Sequence, residues 1–136
     1  MKILLKSATI IDNSSPFHNQ TKDILIDNFK IVQIEDHIDL KDVQAVELPN
    51  LHISQGWFDS SVSFGEPGFE ERETISNGLK SAAAGGFTSV VLNANPSSII
   101  SSPAQVDFVK TKAKNHATVL KPLGSISKNG EGQQLA

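Results

Sequence analysis

The chain has 136 residues, no cysteine, and a formal net charge of −3 with a pI near 5.7. This acidic balance argues against a surface for nucleic acid or anionic membranes, and no stretch is long and apolar enough for a membrane span. Without cysteine the chain has neither disulfides nor thiolate metal sites, which fits an expected cytoplasmic location. Its length predicts one small domain or a piece of a larger protein.

Residues 1–53 have the pattern of β-strands. Three apolar runs stand out, at residues 3–11, 23–26 and 30–34. Asp27-Asn28 lies between the last two runs, where a tight hairpin turn is expected. This half of the chain is therefore predicted to be built from strands.

From about residue 54 the chain alternates between strand-like and helical patterns, which predicts βαβ units and a parallel sheet. A helix is expected over residues 73–84, with Gly85-Gly86 as its stop. Its predicted apolar face comprises Ile75, Leu79, Ala82 and Ala83. Residues 87–92 are a nearly continuous apolar run, which is typical of a strand covered on both faces.

A second helix is predicted to begin after Ser102. Proline follows at the first helical position, and Gln105 completes a capping box. Val106, Val109 and Ala113 fall on one face of this helix. Residues 118–126 are then expected to form the third strand of the parallel sheet, and a third helix is expected to begin near the end of the chain.

The most informative segment lies at the first strand of this second region. Residues 56–70 read GWFDSSVSFGEPGFE. The segment resembles the first barrel strand of dihydroorotases, in the cyclic-amidohydrolase family, where the pattern is roughly G-x-x-D-x-H-x-H-L-R-E-P-G. Five residues of the frame are in register, namely Gly56, Asp59, Glu66, Pro67 and Gly68. Ser61 and Ser63 stand at the two histidine positions, and Gly65 stands at the arginine position.

The chemistry of the family depends on those replaced residues. Positions two apart on a strand share a face, so both family imidazoles enter the barrel and bind one metal ion. Ser61 and Ser63 keep the spacing, but a neutral hydroxyl is a poor zinc ligand. Gly65 has no guanidinium to bind a substrate carboxylate. The sequence thus predicts no catalytic residue, no metal site and no cofactor here, although the family uses zinc.

A second stretch carries the same resemblance. Residues 78–88 are similar to the family pattern G-x-x-A-A-x-x-G-G-F-T, which precedes a substrate loop of the form M-P-N-T-N-P. In this register Asn95 falls on the first loop asparagine, which helps to hold the substrate in relatives, and Ser97 replaces the second. A gapped alignment that matches Asn95-Pro96 with the later N-P pair is the alternative. The resemblance therefore implies Asn95 as a substrate-binding residue.

The resemblance covers essentially the whole chain and implies an α/β fold. It places a β-sandwich portion at residues 1–53 and the first βαβαβ units of a TIM-like (β/α)8 amidohydrolase barrel at residues 54–136. Such a barrel needs eight strands and about 250 residues. We therefore expect the barrel to be incomplete in this chain, as in a fragment of a family member.

The same resemblance implies a function in pyrimidine biosynthesis. The replaced histidines favour a catalytically inactive dihydroorotase-like protein, a pseudoenzyme with a structural or regulatory role toward aspartate carbamoyltransferase in an oligomeric assembly. One alternative is an active zinc-dependent dihydroorotase or related cyclic amidohydrolase, in which a metal-bound hydroxide opens a cyclic amide. A second alternative is a non-enzymatic scaffold.

Other polar residues have structural interpretations. None of the histidines has a partner at the two- or four-residue spacing of a metal pair; they are His18, His37, His52 and His116. Asp59 is expected to support its strand and the neighbouring loop. An acidic run comprises Glu66, Glu70, Glu71 and Glu73. We expect it to be a solvated helix start, where carboxylates favour the helix dipole, instead of an acid-base dyad.

Overall fold

Residues 1–94 and 98–136 are described by the computed structural model of the protein. They divide into two units, Met1–Gln55 and Gly56–Ala136. The first unit consists of strands and loops, whereas the second alternates strands with helices. The protein therefore has a mixed α/β fold in which strands predominate.

The first unit is a five-stranded sheet with the order β3-β2-β1-β4, in which β5 also pairs with β1. Its strands are β1 (Lys2–Ile11), β2 (Thr21–Asp27), β3 (Lys30–Glu35), β4 (Gln44–Glu47) and β5 (His52–Ser54). β2 and β3 form the expected hairpin, but its turn lies one residue after the predicted Asp27-Asn28, because Asp27 pairs with Lys30. Its turn residues Asn28 and Phe29 both have positive φ, 47° and 63°, as a two-residue type I′ turn requires.

The residues that the structure describes in the first unit contribute a single sheet to the expected β-sandwich portion, which stays a prediction. A sandwich needs two sheets packed face to face. Here the early part of β1 pairs with β4 and its later part with β5, so both strands join the same sheet. Loop residues Ile38 and Val43 pack on Leu4 and Leu25.

A β-bulge in β1 is held by the buried carboxylate of Asp23. Leu5 pairs with Ile24 and Ala8 pairs with Lys22, so two residues of β1 lie opposite Asp23. Asp23 is 3% exposed and accepts the N–H groups of Ser7 at 2.8 Å and Ile38 at 3.0 Å. The bulge shifts the alternation of β1, which allows Ala8 and Ile10 to join Leu5 and Ile24 in one apolar cluster.

Asp23 should make the first unit sensitive to acid. Burial alone would raise the pKa of its carboxyl, but the N–H groups of Ile38 and Ser7, with the charges of His37 and Lys6, hold that pKa below the ordinary value of 3.8. A carboxyl whose pKa is lower in the folded state stabilises the fold above its unfolded pKa. This stabilisation is lost as the pH falls through the lower, folded pKa.

We expect Asp23→Ala to lower the free energy of unfolding by about 3 kcal/mol near neutral pH, because two buried N–H groups lose a charged acceptor. Urea unfolding from about pH 6 to about pH 3 should show that the variant lacks part of the acid-dependent loss of stability seen in the parent protein. Asp39→Ala, at an exposed aspartate, is the matched control. Equal stability of the two variants at neutral pH would contradict this role of Asp23.

The second unit contains the βαβαβ order that the sequence predicted. Its elements are β6 (Trp57–Val62), α1 (Ile75–Ala84), β7 (Phe87–Leu92), α2 (Pro103–Lys112) and β8 (Val119–Pro122). The strands are parallel and lie in the order β6-β7-β8. This arrangement is the one expected when a helix connects each strand to the next.

Local capping signals position both helices. The Thr74 hydroxyl accepts the Asn77 N–H at 3.2 Å, so α1 begins at residue 75, two residues later than predicted. Ser102 caps α2, with Pro103 at its first position. The Gln105 side chain accepts the Ser101 N–H at 2.9 Å. In a standard capping box it would accept the N–H of the cap residue itself, Ser102.

The third strand is shorter than predicted. β8 ends at Pro122, which pairs with Leu92 at the end of β7, and among the described residues no strand pairs with the chain beyond residue 122. A single 3-10 turn at Lys128–Gly130 follows. The helix expected near the chain end is absent from these described residues, where a bridge joins Ser127 to Leu135.

Both helices pack on one face of the parallel sheet. The core between them contains Ile75 and Leu79 of α1, Val109 of α2, Val90 and Leu92 of β7, Ile100, and Leu120 of β8. The predicted apolar faces of the helices are confirmed at these positions. Among the helices that the structure describes, none is long and apolar enough to cross a membrane.

Candidate functional site

Residues 56–70, which resemble the dihydroorotase motif, contain β6 and the loop at its carboxyl end. This loop lies at the same edge of the sheet as the carboxyl end of β7. Ligands of parallel α/β sheets bind at this edge, because the loops that follow the strands meet there. Ser61 is the penultimate residue of β6, and Asn93 follows the last residue of β7. The Asn93 side-chain amide donates to the Ser61 hydroxyl at 2.9 Å. A side-chain hydrogen bond therefore joins the ends of the two strands.

Asp59 supports this strand end, as the sequence predicted. Its carboxylate accepts the Ser61 N–H at 2.9 Å. The pairs Asp59–Val90 and Val62–Leu92 show that three residue steps in β6 match two steps in β7. This register shift interrupts the two-residue alternation of β6, and the Asp59 carboxylate binds a backbone N–H within the shifted segment.

Ser63 lies just beyond the strand. β6 ends at Val62, because Val62 pairs with Leu92, the last residue of β7. Ser63 therefore begins the following loop. Val62 and Phe64 pack against the core, whereas Ser61 and Ser63 are exposed, which agrees with the prediction that the two serines share one face. Sequence spacing alone could not indicate the register shift that shortens the strand.

The donor groups at this strand end do not fit the zinc centre of the family. Zinc in proteins binds imidazole nitrogen, thiolate sulfur or carboxylate oxygen, whereas Ser61 and Ser63 present neutral hydroxyls. The Ser61 hydroxyl already accepts from Asn93. Across residues 1–94 and 98–136, no three His, Asp or Glu side chains come together as a potential metal site.

Gly65 is enclosed by the backbone of its own loop. The Phe69 N–H donates to the Gly65 carbonyl at 3.0 Å, and the Glu66 N–H donates to the Glu73 carbonyl at 2.9 Å. A Cβ atom on residue 65 would lie 2.0 Å from the Phe69 carbonyl oxygen and 2.9 Å from the Glu73 carbonyl oxygen. The position at which the family has arginine therefore has no room for a side chain in this loop conformation.

Glu66 anchors the loop to both helices. It is 4% exposed, and its carboxylate accepts the N–H of Ile75, the first residue of α1, at 2.9 Å. The other carboxylate oxygen lies 3.1 Å from Nζ of Lys112, the last residue of α2. The acidic run thus includes a carboxylate at a helix start, as predicted, but the expectation that the run is solvated is wrong for Glu66, which is buried and paired. Gly68 lies in the same loop with φ of +106°, a conformation that favours glycine.

A polar cavity of about 390 Å³ opens beside this loop. Its lining residues are Ser63, Phe64, Gly65, Phe69, Arg72, Glu73 and Ala94. The Arg72 guanidinium carbon lies 4.5 Å from the centroid of the Phe69 ring, which is a cation–π distance. The cavity therefore combines a hydroxyl, a positioned guanidinium and an aromatic wall at the ligand-binding edge of the sheet.

The other predicted site residues lie elsewhere. Asn95 falls outside the residues that the structure describes. Three of the histidines lie in the first unit beside polar partners. His18 Nδ1 accepts the Asp12 N–H at 3.1 Å, and His52 Nδ1 lies 2.7 Å from the Asn50 carbonyl oxygen. His37 lies 3.5 Å from the Asp23 carboxylate. These contacts support the structural interpretation of these histidines.

Sequence reasoning missed Asn93, Lys112 and Arg72. Asn93 and Lys112 depend on contacts between elements far apart in the chain, and no local pattern indicates them. Arg72 did have a signal, because it is the only arginine in the 136-residue sequence.

Comparison with curated proteins identifies close sequence relatives. The chain is 35% identical over 133 residues to the dihydroorotase of Streptococcus thermophilus (strain CNRZ 1066), with 98% of the chain and 31% of the relative aligned. It is 36% identical over 135 residues to the dihydroorotase of Lactococcus lactis subsp. lactis (strain IL1403), covering 99% of the chain and 32% of the relative. The chain thus spans about a third of the length of the curated relatives it matches. No protein-family model matches the chain.

Solved structures share the fold. A dihydroorotase crystal structure matches with a TM-score of 0.66 and 16% identity, covering 94% of this chain and 32% of that one. A D-hydantoinase matches with a TM-score of 0.70 and 20% identity, covering 94% of this chain and 28% of that one. By sequence, the chain is therefore similar to dihydroorotases over the third of those proteins that it spans, and it shares the fold of a solved dihydroorotase.

Proposed function

We propose that this chain is part of a dihydroorotase-like protein that does not carry out metal-dependent hydrolysis at the Ser61/Ser63 position. The observation that carries the proposal is the hydrogen bond from Asn93 to the Ser61 hydroxyl at 2.9 Å. A residue at a family metal-ligand position is here engaged in joining two strands. We further infer that β6, β7 and β8 are the first strands of an eight-stranded barrel.

The enclosed Gly65 supports the same conclusion about chemistry. An arginine at this position would place its Cβ against two backbone carbonyl oxygens, at 2.0 Å and 2.9 Å. Ser61, at one of the two imidazole positions, and Gly65, at the guanidinium position, thus make structural contacts. The loop itself is retained through Glu66, which binds both helices.

The role that we propose for the retained fold is assembly with aspartate carbamoyltransferase in pyrimidine biosynthesis, in the cytoplasm. This partner follows from the family resemblance together with the loss of the metal ligands. A protein that no longer hydrolyses a substrate can still serve its pathway by stabilising or regulating the enzyme that it binds.

Metal content and activity test the first part of the proposal. The full-length protein, purified with added zinc, should contain far less than one zinc per chain by mass spectrometry, and should show no measurable ring opening of dihydroorotate. An active dihydroorotase from a relative, treated identically, is the positive control. Stoichiometric zinc that is lost on Asn93→Ala or Ser61→Ala, or hydrolysis above the uncatalysed rate, would support the active-hydrolase alternative instead.

Co-expression tests the second part of the proposal. The full-length protein and the aspartate carbamoyltransferase of the same organism should elute as one complex in size-exclusion chromatography, with a mass by light scattering that exceeds either component alone. An unrelated transcarbamoylase is the specificity control. Separate elution of the two proteins would favour the non-enzymatic scaffold without this partner.

A further inference from the structure

The sequence contains two Asn-Gly pairs, Asn77-Gly78 and Asn129-Gly130. Asparagine is chemically labile in proteins, and it is most labile before glycine, because no side chain on the glycine hinders the attack of its nitrogen on the asparagine amide carbon. This attack needs backbone freedom, since the nitrogen of the next residue must move against Cγ of the asparagine. The two pairs have the same chemistry, so the structure around each pair decides which of them reacts.

Asn77-Gly78 is held within α1. The Gly78 N–H, which carries the attacking nitrogen, donates to the Thr74 carbonyl at 3.0 Å. The Asn77 side-chain amide donates to Oε1 of Glu73 at 3.1 Å. Gly78 is also buried, and a Cβ atom on it would lie 2.3 Å from the Phe64 ring. Reaction at this pair therefore requires α1 to open and to leave its packing contacts.

Asn129-Gly130 lies in the single 3-10 turn after β8, Lys128–Gly130. Asn129 and Gly130 are exposed, and no residue of the turn is buried. The Gly130 N–H donates to the Ser127 carbonyl at 3.1 Å, and this bond belongs to one isolated turn and not to a continuous helix. Local opening of such a segment costs little free energy, because few contacts are lost and no apolar side chain of the turn leaves a core.

We propose that Asn129 is a site of spontaneous deamidation, with water as the co-reactant, and that α1 protects Asn77 from the same reaction. The Gly130 nitrogen bonds to Cγ of Asn129 and closes a succinimide ring. The bond from Cγ to the side-chain nitrogen breaks, and ammonia leaves with the proton of the Gly130 nitrogen. Water then cleaves one of the two ring C–N bonds, giving aspartate by cleavage at Cγ or isoaspartate by cleavage at the backbone carbonyl carbon. This modification needs neither a metal ion nor a partner, so it goes beyond the proposed function.

Either product changes the segment after β8. Each adds one negative charge, which takes the formal net charge from −3 to −4. In isoaspartate the chain runs through the former side chain, so the backbone of the turn becomes one methylene longer. The present turn brings Ser127 to Leu135 in a bridge and the Lys128 N–H to the Gln134 carbonyl at 2.8 Å. A longer turn disturbs both contacts, so we expect the isoaspartate form to be looser over residues 127–135.

Timed incubation of the full-length protein in mildly alkaline buffer tests the proposal. Mass spectrometry of the peptides that contain Asn129 and Asn77 measures conversion of amide to acid, and chromatography separates the aspartate and isoaspartate products. In the folded protein Asn129 should convert at least about tenfold faster than Asn77, because only α1 must open against a packed core. In guanidinium chloride the two rates should agree within about threefold, since both pairs are then free. Equal rates in the folded protein, or the same ratio in both conditions, would overturn the proposal.

Anion-exchange chromatography of variants provides the second measurement. The parent protein should accumulate an acidic form during incubation. Asn129→Gln should remove most of this form, because the longer side chain closes its cyclic imide far more slowly while the charge is unchanged. Asn77→Gln, at the other Asn-Gly pair, is the matched control and should accumulate the acidic form at the parental rate. An undiminished acidic form in Asn129→Gln would show that Asn129 is not the site.

Discussion

Gly65→Arg will destabilise this protein instead of restoring the arginine of the family. The Cβ atom alone would lie 2.0 Å from the Phe69 carbonyl oxygen and 2.9 Å from that of Glu73, and both contacts are to backbone atoms. Relieving them requires the loop to move away from α1, although Glu66 holds it there through the Ile75 N–H at 2.9 Å. We expect a loss of about 3 kcal/mol, or roughly 10 °C in Tm.

Gly65→Ala isolates the effect of the Cβ atom and should lose nearly as much stability as Gly65→Arg. Gly124→Ala is the matched control, because its Cβ would lie 3.7 Å from the Ile100 carbonyl oxygen, an ordinary contact. Thermal and urea unfolding of the three variants measure the difference. A Gly65→Ala variant as stable as Gly124→Ala would show that the loop has room for a side chain.

Repair of the metal site should therefore begin with Ser61→His and Ser63→His alone, because both serines are exposed.

The 136-residue chain by itself should associate in solution. Trp57 and Phe58 of β6 and Val119 of β8 are 60%, 59% and 56% exposed, respectively. β6 and β8 are the two edge strands of the parallel sheet in the part of the chain described. Parallel sheets are normally covered on both faces, and unpaired strand edges template pairing with another chain.

Size-exclusion chromatography with light scattering should report masses above the 14.6 kDa of the monomer, increasing with concentration. Val119→Lys should reduce this association, because a charged side chain on an edge strand disfavours pairing. Phe29→Asn is the control, since it removes an exposed apolar side chain from the hairpin turn of the first unit at a positive φ that asparagine tolerates. A cooperatively folding monomer at all concentrations would contradict the expectation.

Local sequence signals determined most of the secondary structure. Three features that depend only on neighbours in the chain were correctly predicted. They are the Ser102 cap with proline after it, the Gly85-Gly86 stop of α1 and the apolar run that forms β7. The hairpin between β2 and β3 was also predicted, but its turn is one residue later than predicted and places Phe29 at a positive φ that a bulky side chain rarely adopts. The dihydroorotase resemblance was likewise carried by a short, continuous motif.

Tertiary structure decided the features that depend on residues distant in the chain. The register shift in β6 arises from pairing with β7, and it places Ser63 beyond the strand. The crowding around Gly65 comes from the way the loop folds back on itself, which spacing does not reveal. Asn93 and Lys112 acquire their roles from partners about 30 or more residues away. The sequence by itself identified the resemblance to dihydroorotases and the replaced metal ligands. The tertiary structure decided which side chains now occupy the site, because the contacts there join strands and loops that are far apart in the chain.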